Sequence, residues 1–291
     1  MKRRHLLELG LGAVAVGAAL PAAAQAPRPS PRIVSISSAL TEIVYALGAE
    51  KLLVGVDTTS LYPEAARTLP QVGYMRALSA EGVLSLKPTL ILATPAAGPA
   101  TTLDQLRATG AEVMVLPDHF DYDSVVLKFE AVGKVAGKTA EAQEMIARGR
   151  ADMADLSAKL ASVSSKPRVL FLLSMGGGAP QASGQNTAAD GIIRLAGGVN
   201  AVDGYSGYRP LTPESVIASR PDFVLVTRQT VDALGGVDAI LKQPALAQTP
   251  AGKASRVLQF DTLLLLGFGP RTPTAATQLA AALHPDLARA R

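Results

Sequence analysis

The chain has 291 residues, a formal net charge of +4, no cysteine and three histidines. Without cysteine there is no disulfide framework, thiol nucleophile, thiolate-bound zinc or iron–sulfur cluster, and no lipid-modified N-terminal cysteine. The mild basic excess contains no concentrated run of Lys and Arg, so the basic face that nucleic-acid binding needs is missing.

The chain opens Met1-Lys2-Arg3-Arg4-His5. An apolar run follows from Leu6 to Leu20, interrupted only by Glu8, and leads to Ala22-Ala23-Ala24-Gln25-Ala26. A positive start, a short apolar run and an Ala-x-Ala ending predict a secretory signal peptide over residues 1–26, cleaved near Ala26. The run is shorter than the ~20 residues a membrane span needs. An exported chain with no cysteine for a lipid anchor is most simply retained in a periplasm.

Ile33–Ile36 reads as a first strand, Leu40 to Leu47 as a helix stopped by Gly48, and Leu53–Val56 as a second strand. Ser79 to Leu86 reads as a short helix stopped by Pro88. Leu90–Ala93 is a buried strand, Leu103–Leu106 lies in a helix ended by Gly110, and Val113–Leu116 is the next strand. From Tyr122 to about Ser162 apolar residues recur at helical spacing, which predicts a long helix with a break near Gly133–Gly137. Ser164-Ser165-Lys166-Pro167 ends it.

The pattern then restarts. Val169–Leu173 is a strand, Thr187 to Leu195 a helix, Glu214 to Ala218 a short helix and Phe223–Val226 a strand. Val231 to Leu241 reads as a helix, Val257–Phe260 as a strand, Leu263–Leu266 as a strand-length core segment and Pro273 to Leu283 as the closing helix. Strands alternating with helices predict parallel sheets in an α/β protein.

The halves echo each other. Leu78-Ser79-Ala80-Glu81 through Lys87-Pro88 precedes the strand Leu90–Ala93. Leu211-Thr212-Pro213-Glu214 through Arg220-Pro221 precedes Phe223–Val226, at a constant offset of 133. Ala39–Ala49 and Ala188–Gly198 form a second echo, at 149. The expected architecture is α/β: two Rossmann-like lobes with parallel central sheets, joined by one long interdomain helix. The expected bounds are 27–121, 122–163 and 164–291. Small ligands bind in the cleft between such lobes. A rigid connecting helix, with no pair of flexible strands as a hinge, predicts small lobe closure.

Arg32-Ile33-Val34-Ser35-Ile36-Ser37-Ser38-Ala39-Leu40-Thr41-Glu42, with the Lys87-Pro88 and Arg220-Pro221 strand leads, resembles the class III periplasmic binding proteins for iron complexes, cobalamin and haem. The resemblance covers essentially the whole chain after the leader. Val72-Gly73-Tyr74-Met75-Arg76-Ala77-Leu78-Ser79 and Asn186-Thr187-Ala188-Ala189-Asp190-Gly191-Ile192-Ile193 are most similar to the haem carriers. The resemblance implies a non-enzymatic carrier that binds ferric haem as its transported ligand. It also implies delivery to the permease subunits of an ABC importer, with an outer-membrane haem receptor upstream.

Ferric iron favours a hard oxygen donor such as a Tyr phenolate. An ordinary Tyr has a pKa near ~10, so iron and a neighbouring cation must help it ionise. Tyr74 and Arg76 would face the same way in an extended loop. Spacing alone favours a partly buried loop tyrosine with no metal role; the resemblance implies Tyr74 as the axial ligand. Tyr205 and Tyr208, in the Gly204–Pro210 loop, would offer flat faces from the second lobe. Arg228, just past a strand end, would pair with the phenolate or a propionate. Arg271, before the last helix, suits a propionate or a structural ion pair equally. Some relatives place a histidine near Met175 for a second haem. Here no histidine lies in that segment, which leaves Met175 or a second-lobe Tyr as weaker candidates and the number of haems open. His119 reads as a solvated loop residue.

Glu81 and Glu214 hold equivalent positions in the repeats. Ser79 and Thr212 would cap short helices, with the acids in the first turn. The resemblance implies that both acids dock on the two permease subunits. A ferric siderophore or cobalamin carrier of the same fold is the alternative. A secreted hydrolase lacks support, with no Gly-x-Ser-x-Gly elbow and no His-Glu-x-x-His. A zinc or manganese carrier needs several His with carboxylates.

Overall fold

The computed structural model describes residues 30–174 and 180–288; the expected leader (1–26) and Met175 lie outside the described residues. Four short strands build the first sheet: β1 (Ile33–Ile36), β2 (Leu53–Val56), β3 (Leu90–Ala93) and β4 (Glu112–Val115). They run parallel in the order β2-β1-β3-β4. β1 is buried along its whole length, which is why its sequence is a continuous run with little alternation. Its side chains still divide between faces. Ile33, Leu90 and Leu92 enter one core layer; Val34, Ile36, Ile91 and Ala93 enter the other. Val83 of α2 (Ala80–Leu84) and Leu103 and Leu106 of α3 (Ala100–Ala108) close that second face. The first is covered by α1 (Ser38–Ala46) and α4 (Tyr122–Ala136).

The connecting segment is helical, and it breaks where its glycines cluster. α4 ends at Gly137, which takes the left-handed conformation (φ 68°), and α5 (Thr139–Leu160) follows. The two helices fold back on each other: Gly133 faces Ala142, and Gly149 faces the Tyr122 hydroxyl. The interdomain crossing therefore falls to the 22-residue α5. It packs on α4 at one end and reaches Gly197 of the second lobe with Leu160 at the other.

The second sheet departs from an all-parallel plan. β5 (Arg168–Leu173), β7 (Val199–Asn200), β9 (Phe223–Thr227) and β10 (Val257–Phe260) pair in parallel. β6 (Gln181–Ser183) and β8 (Tyr208–Pro210) add an antiparallel edge. These two strands are three residues each and largely polar, too short to leave a period-2 signature. α6 (Ala188–Leu195) lies on the inner face, and α7 (Pro213–Ser219) leads into β9.

Two further expectations change. The stretch Val231 to Leu241 is two helices, α8 (Arg228–Ala233) and α9 (Val237–Leu241), because Gly235 and Gly236 take φ of 83° and 102°. Two one-turn helices follow, α10 (Pro244–Ala247) and α11 (Pro250–Lys253). Leu263–Leu266 is helical, not extended. It belongs to α12 (Thr262–Leu266), whose N-terminus is capped by the Asp261 carboxylate accepting from the Leu264 N–H at 2.9 Å. α13 (Thr272–Leu283) closes the fold.

The repeat at offset 133 is structural. Ser79 Oγ accepts from the Gly82 N–H, and Thr212 Oγ1 from the Ser215 N–H, capping α2 and α7 as expected. The matched residues Lys87 and Arg220, each just before a proline, both take positive φ (49° and 43°).

Between the sheets the inner helices share one continuous apolar core, running from Leu40 and Phe129 to Phe171, Ile192, Phe268 and Leu279. Phe120 meets Phe268 edge-on at 5.5 Å. Lys128, fully buried, donates to Asp118 at 2.6 Å and to the Phe268 carbonyl at 3.4 Å. The two lobes thus form one compact unit.

A Cβ at Gly133 would lie 2.6 Å from the Ala142 Cβ and 3.1 Å from the Lys138 carbonyl oxygen. Overpacking costs about 1–3 kcal/mol, partly offset by alanine's better helix propensity, about 1 kcal/mol. Thermal denaturation should therefore show Gly133→Ala melting a few degrees below the parent. An equal or higher Tm would contradict the close α4–α5 packing.

Candidate functional site

The loops that leave the carboxyl ends of the strands carry the sequence-predicted residues. After β2 the chain turns through Asp57 to Pro63. Asp57 is fully buried and accepts from the Thr59 N–H (3.0 Å), the Thr59 hydroxyl (2.6 Å) and the Ser60 hydroxyl (2.8 Å). Ser60 in turn meets Thr41 at 2.8 Å, and Thr41 donates to Ser35 at 2.9 Å. Burial pushes the Asp57 carboxyl up from the ordinary range, opposed by these bonds. This polar chain fixes the loop to β1 and α1 and leaves Leu61 and Tyr62 exposed at its tip.

The Tyr74 loop is tied to that one. The Thr58 N–H donates to the Gly73 carbonyl at 3.0 Å, and residues 70–72 pair with Val56. Gly73 takes φ 97°, which turns the chain outward. The Ala77 N–H then donates to the Tyr74 carbonyl at 2.8 Å. The segment is therefore a turn rather than an extended run, and strand alternation does not relate Tyr74 to Arg76. Tyr74 is 41% exposed, and its hydroxyl has no hydrogen-bond partner among the described residues.

Arg76 instead acts across the cleft. Its charge is felt at the hydroxyl of Tyr208, on β8 of the second lobe. Tyr208 packs edge-on against Phe171 at 6.3 Å, with its hydroxyl near the Thr187 side chain and the Ala189 backbone. Burial pushes the Tyr208 phenol up; Thr187, Ala189 and the Arg76 charge pull it back. It stays a neutral phenol. Thr187 and Asp190, both from the segment that resembles haem carriers, are buried and hold this wall together: Thr187 caps α6, and Asp190 pairs with Arg194.

Arg228 stands exposed at the carboxyl end of β9, as expected, with no partner among the described residues. Tyr205 does not join Tyr208. It packs into the opposite core layer, with Leu170 and Val224, and its hydroxyl donates to the Ala182 carbonyl at 3.0 Å. Gly184 lets it approach closely: a Cβ there would lie 2.5 Å from the Tyr205 ring.

Arg271 has a different task from the propionate role. Its Nε donates to Glu42 Oε2 at 2.8 Å and its Nη2 to Oε1 at 2.7 Å, a bidentate pair between the α13 cap and α1. Its guanidinium also sits 3.7 Å from the centre of the Tyr62 ring. Glu42 and Tyr62 are residues that sequence reasoning missed. Glu42 had the signal of an acid inside an apolar helical face; Tyr62 had none. Among the described residues no cluster of His, Asp and Glu could hold a bare metal ion, and no helix is long and apolar enough to cross a membrane.

The sequence profile of the periplasmic binding protein family matches residues 33–262. The chain belongs to this family. Its architecture is similar to the periplasmic heme-binding protein BhuT, solved in complex with two hemes. That likeness has 42% identity, covers 89% of this chain and 100% of that one, and gives a TM-score of 0.84. The heme-binding protein RhuT from Roseiflexus sp. RS-1, in apo form, is similar at 42% identity, 89% and 100% coverage, and TM-score 0.83. The Vitamin B12-binding protein of Vibrio vulnificus (strain CMCP6) is 28% identical over 258 residues, covering 86% of this chain and 89% of that one.

Within this family member Glu81 and Glu214 both sit exposed in the first turns of α2 and α7. The Glu214 carboxyl is held below its usual range by its own backbone N–H and by Thr212, so it stays ionised at neutral pH.

The Glu42–Arg271 pair makes a pH-dependent prediction. Burial raises Glu42 above its ordinary pKa, and Arg271 opposes that shift. A carboxyl raised in the native state favours folding at acid pH, and that contribution is lost as pH rises through the native value. Arg271→Met leaves Glu42 buried without its partner, at a cost of about 3 kcal/mol near neutrality. Its Tm deficit against the parent should narrow as pH falls into the carboxylate range. A deficit independent of pH would contradict the pairing.

Proposed function

We propose that this periplasmic binding protein carries haem in the cleft between the carboxyl ends of its two sheets and delivers it to the permease subunits of an ABC importer. It performs no catalysis. Tyr74 is the axial ligand of the ferric iron. The observation that carries the reading is the contrast between the two tyrosines. Tyr208 is half-buried against Phe171, and burial pushes its phenol up, whereas Tyr74 is exposed with no partner for its oxygen among the described residues. Iron binding supplies the energy to ionise Tyr74, and Arg76 adds positive charge nearby. Tyr208, backed by the fully buried Phe171, forms the apolar wall opposite, and Arg228 takes a propionate.

The 42% identity to two heme-binding proteins across nearly the whole chain supports this cargo over cobalamin, for which the quoted relative stands at 28%. Residues 1–26 act as the export leader, cleaved near Ala26, which delivers the carrier to the periplasm. The lobes span 27–121 and 164–291 with the connector at 122–163. An outer-membrane haem receptor supplies the cargo, and Glu81 and Glu214 meet the permease subunits.

Titrating haemin into the purified apo protein should give a saturable change in the Soret band and a high-spin charge-transfer band. Both should be lost in Tyr74→Ala. A protein that gives no saturable change with haemin, or that gives one with cobalamin alone, contradicts the assignment.

Docking is separable from cargo binding. The double variant Glu81→Ala, Glu214→Ala should bind haemin as the parent does yet fail to support uptake by the reconstituted importer. Loss of haemin binding in that variant would refute the division of roles.

A further inference from the structure

The loop tip Leu61-Tyr62 is not absorbed by the ligand assignments above. Leu61 is 44% exposed and Tyr62 is 45% exposed, yet the loop beneath them is tied down by buried side-chain bonds. Asp57, Ser60, Thr41 and Ser35 are fully buried and bonded to one another in a line from the loop to β1 and α1. The Leu61 N–H is also satisfied, by the Thr59 carbonyl at 2.9 Å. Exposed apolar side chains on a mobile tip need no explanation. On a tip fixed by a buried polar chain they mark a contact surface.

Its place in the fold identifies the contact. The same loop donates from Thr58 to Gly73, next to Tyr74, so the tip and the candidate iron ligand stand on hydrogen-bonded neighbouring turns. On its other side Tyr62 is braced by the second lobe through Arg271, 3.7 Å from the ring centre, itself fixed by Glu42. The aromatic ring is thus held from both lobes, on a loop bonded to the one that carries Tyr74. It keeps nearly half of its surface open.

We propose that Leu61 and Tyr62 form an apolar platform on which the porphyrin macrocycle packs, and that they select for a flat aromatic cargo independently of its metal. This rests on the reading of the protein as a haem carrier. A planar ring on a fixed aromatic face gains both apolar burial and offset stacking, while the polar chain keeps the face from turning away.

Metal-free protoporphyrin IX tests the platform, since it offers Tyr74 no iron to bind. Fluorescence titration should show saturable binding to the parent protein. Tyr62→Ala should weaken it about tenfold, and Tyr62→Phe should restore it. Leu61→Ser, which leaves the Tyr62–Arg271 contact intact, should weaken it as well and so separates the platform from any loss of stability. In both weakened variants the haemin Soret maximum should stay at the parent position, because Tyr74 still holds the iron. Parental protoporphyrin affinity in Tyr62→Ala and Leu61→Ser, or no protoporphyrin binding by a parent that binds haemin, overturns the platform. Failure of the parent to bind haemin would fall on the proposed function instead.

Discussion

The Glu42–Arg271 pair is the constraint on which the cleft depends. Two parallel bonds join a nearly buried carboxylate on the first helix of one lobe to a guanidinium at the start of the last helix of the other. Buried ion pairs add little net stability, because desolvation consumes most of the attraction. What they do enforce is geometry, since neither partner tolerates separation. Here separation of the lobes would strand a carboxylate in an apolar core. Lys128 adds a second tie: fully buried and paired with Asp118 in its own half, it donates across to the Phe268 carbonyl at 3.4 Å. The continuous core between the sheets supplies the stability, and the Glu42–Arg271 pair with this bond fixes the register.

That register sets the distance between the walls of the site. Arg76 reaches Tyr208 electrostatically across the cleft because the lobes are already together. In the proposed carrier this register makes a slot, with Tyr74, whose oxygen has no partner among the described residues, on one wall and the half-buried Tyr208 on the other. Such a slot suits a rigid planar cargo, which has no conformational freedom with which to adapt. It also separates tasks: Thr187, Asp190 and Asp57 are committed to holding loops in place, while Tyr74, Arg76 and Arg228 have no side-chain hydrogen-bond or ion-pair partner among the described residues.

Much of the fold was legible in the sequence because its strands are short, apolar and separated by strong helix stops. The matched segments around Glu81 and Glu214 revealed the repeat, and even their backbone strain at Lys87 and Arg220 is shared. The antiparallel edge of β6 and β8 was not legible, since Gln181–Ser183 and Tyr208–Pro210 carry no apolar alternation. Leu263–Leu266 misled because an all-apolar run has no period; the Asp261 cap decided for helix. In the candidate site, the motif singled out Tyr74 and the strand end Arg228, and both stand exposed on loops at the carboxyl ends of strands. Arg271 was ambiguous because its partner lies 229 positions away, a contact no local pattern encodes. Tyr205 and Tyr208 looked equivalent in sequence, and only the sheet alternation sends them to opposite faces.

Lobes joined by the Glu42–Arg271 pair and a continuous core imply that the proposed carrier does not clamp down on its cargo. Small-angle scattering of the apo and haemin-saturated protein tests this directly. Superposable curves with an unchanged radius of gyration are the predicted result. A contraction of the particle on loading would mean that the lobes swing freely, and that the Glu42–Arg271 pair between them does not set the geometry of the site.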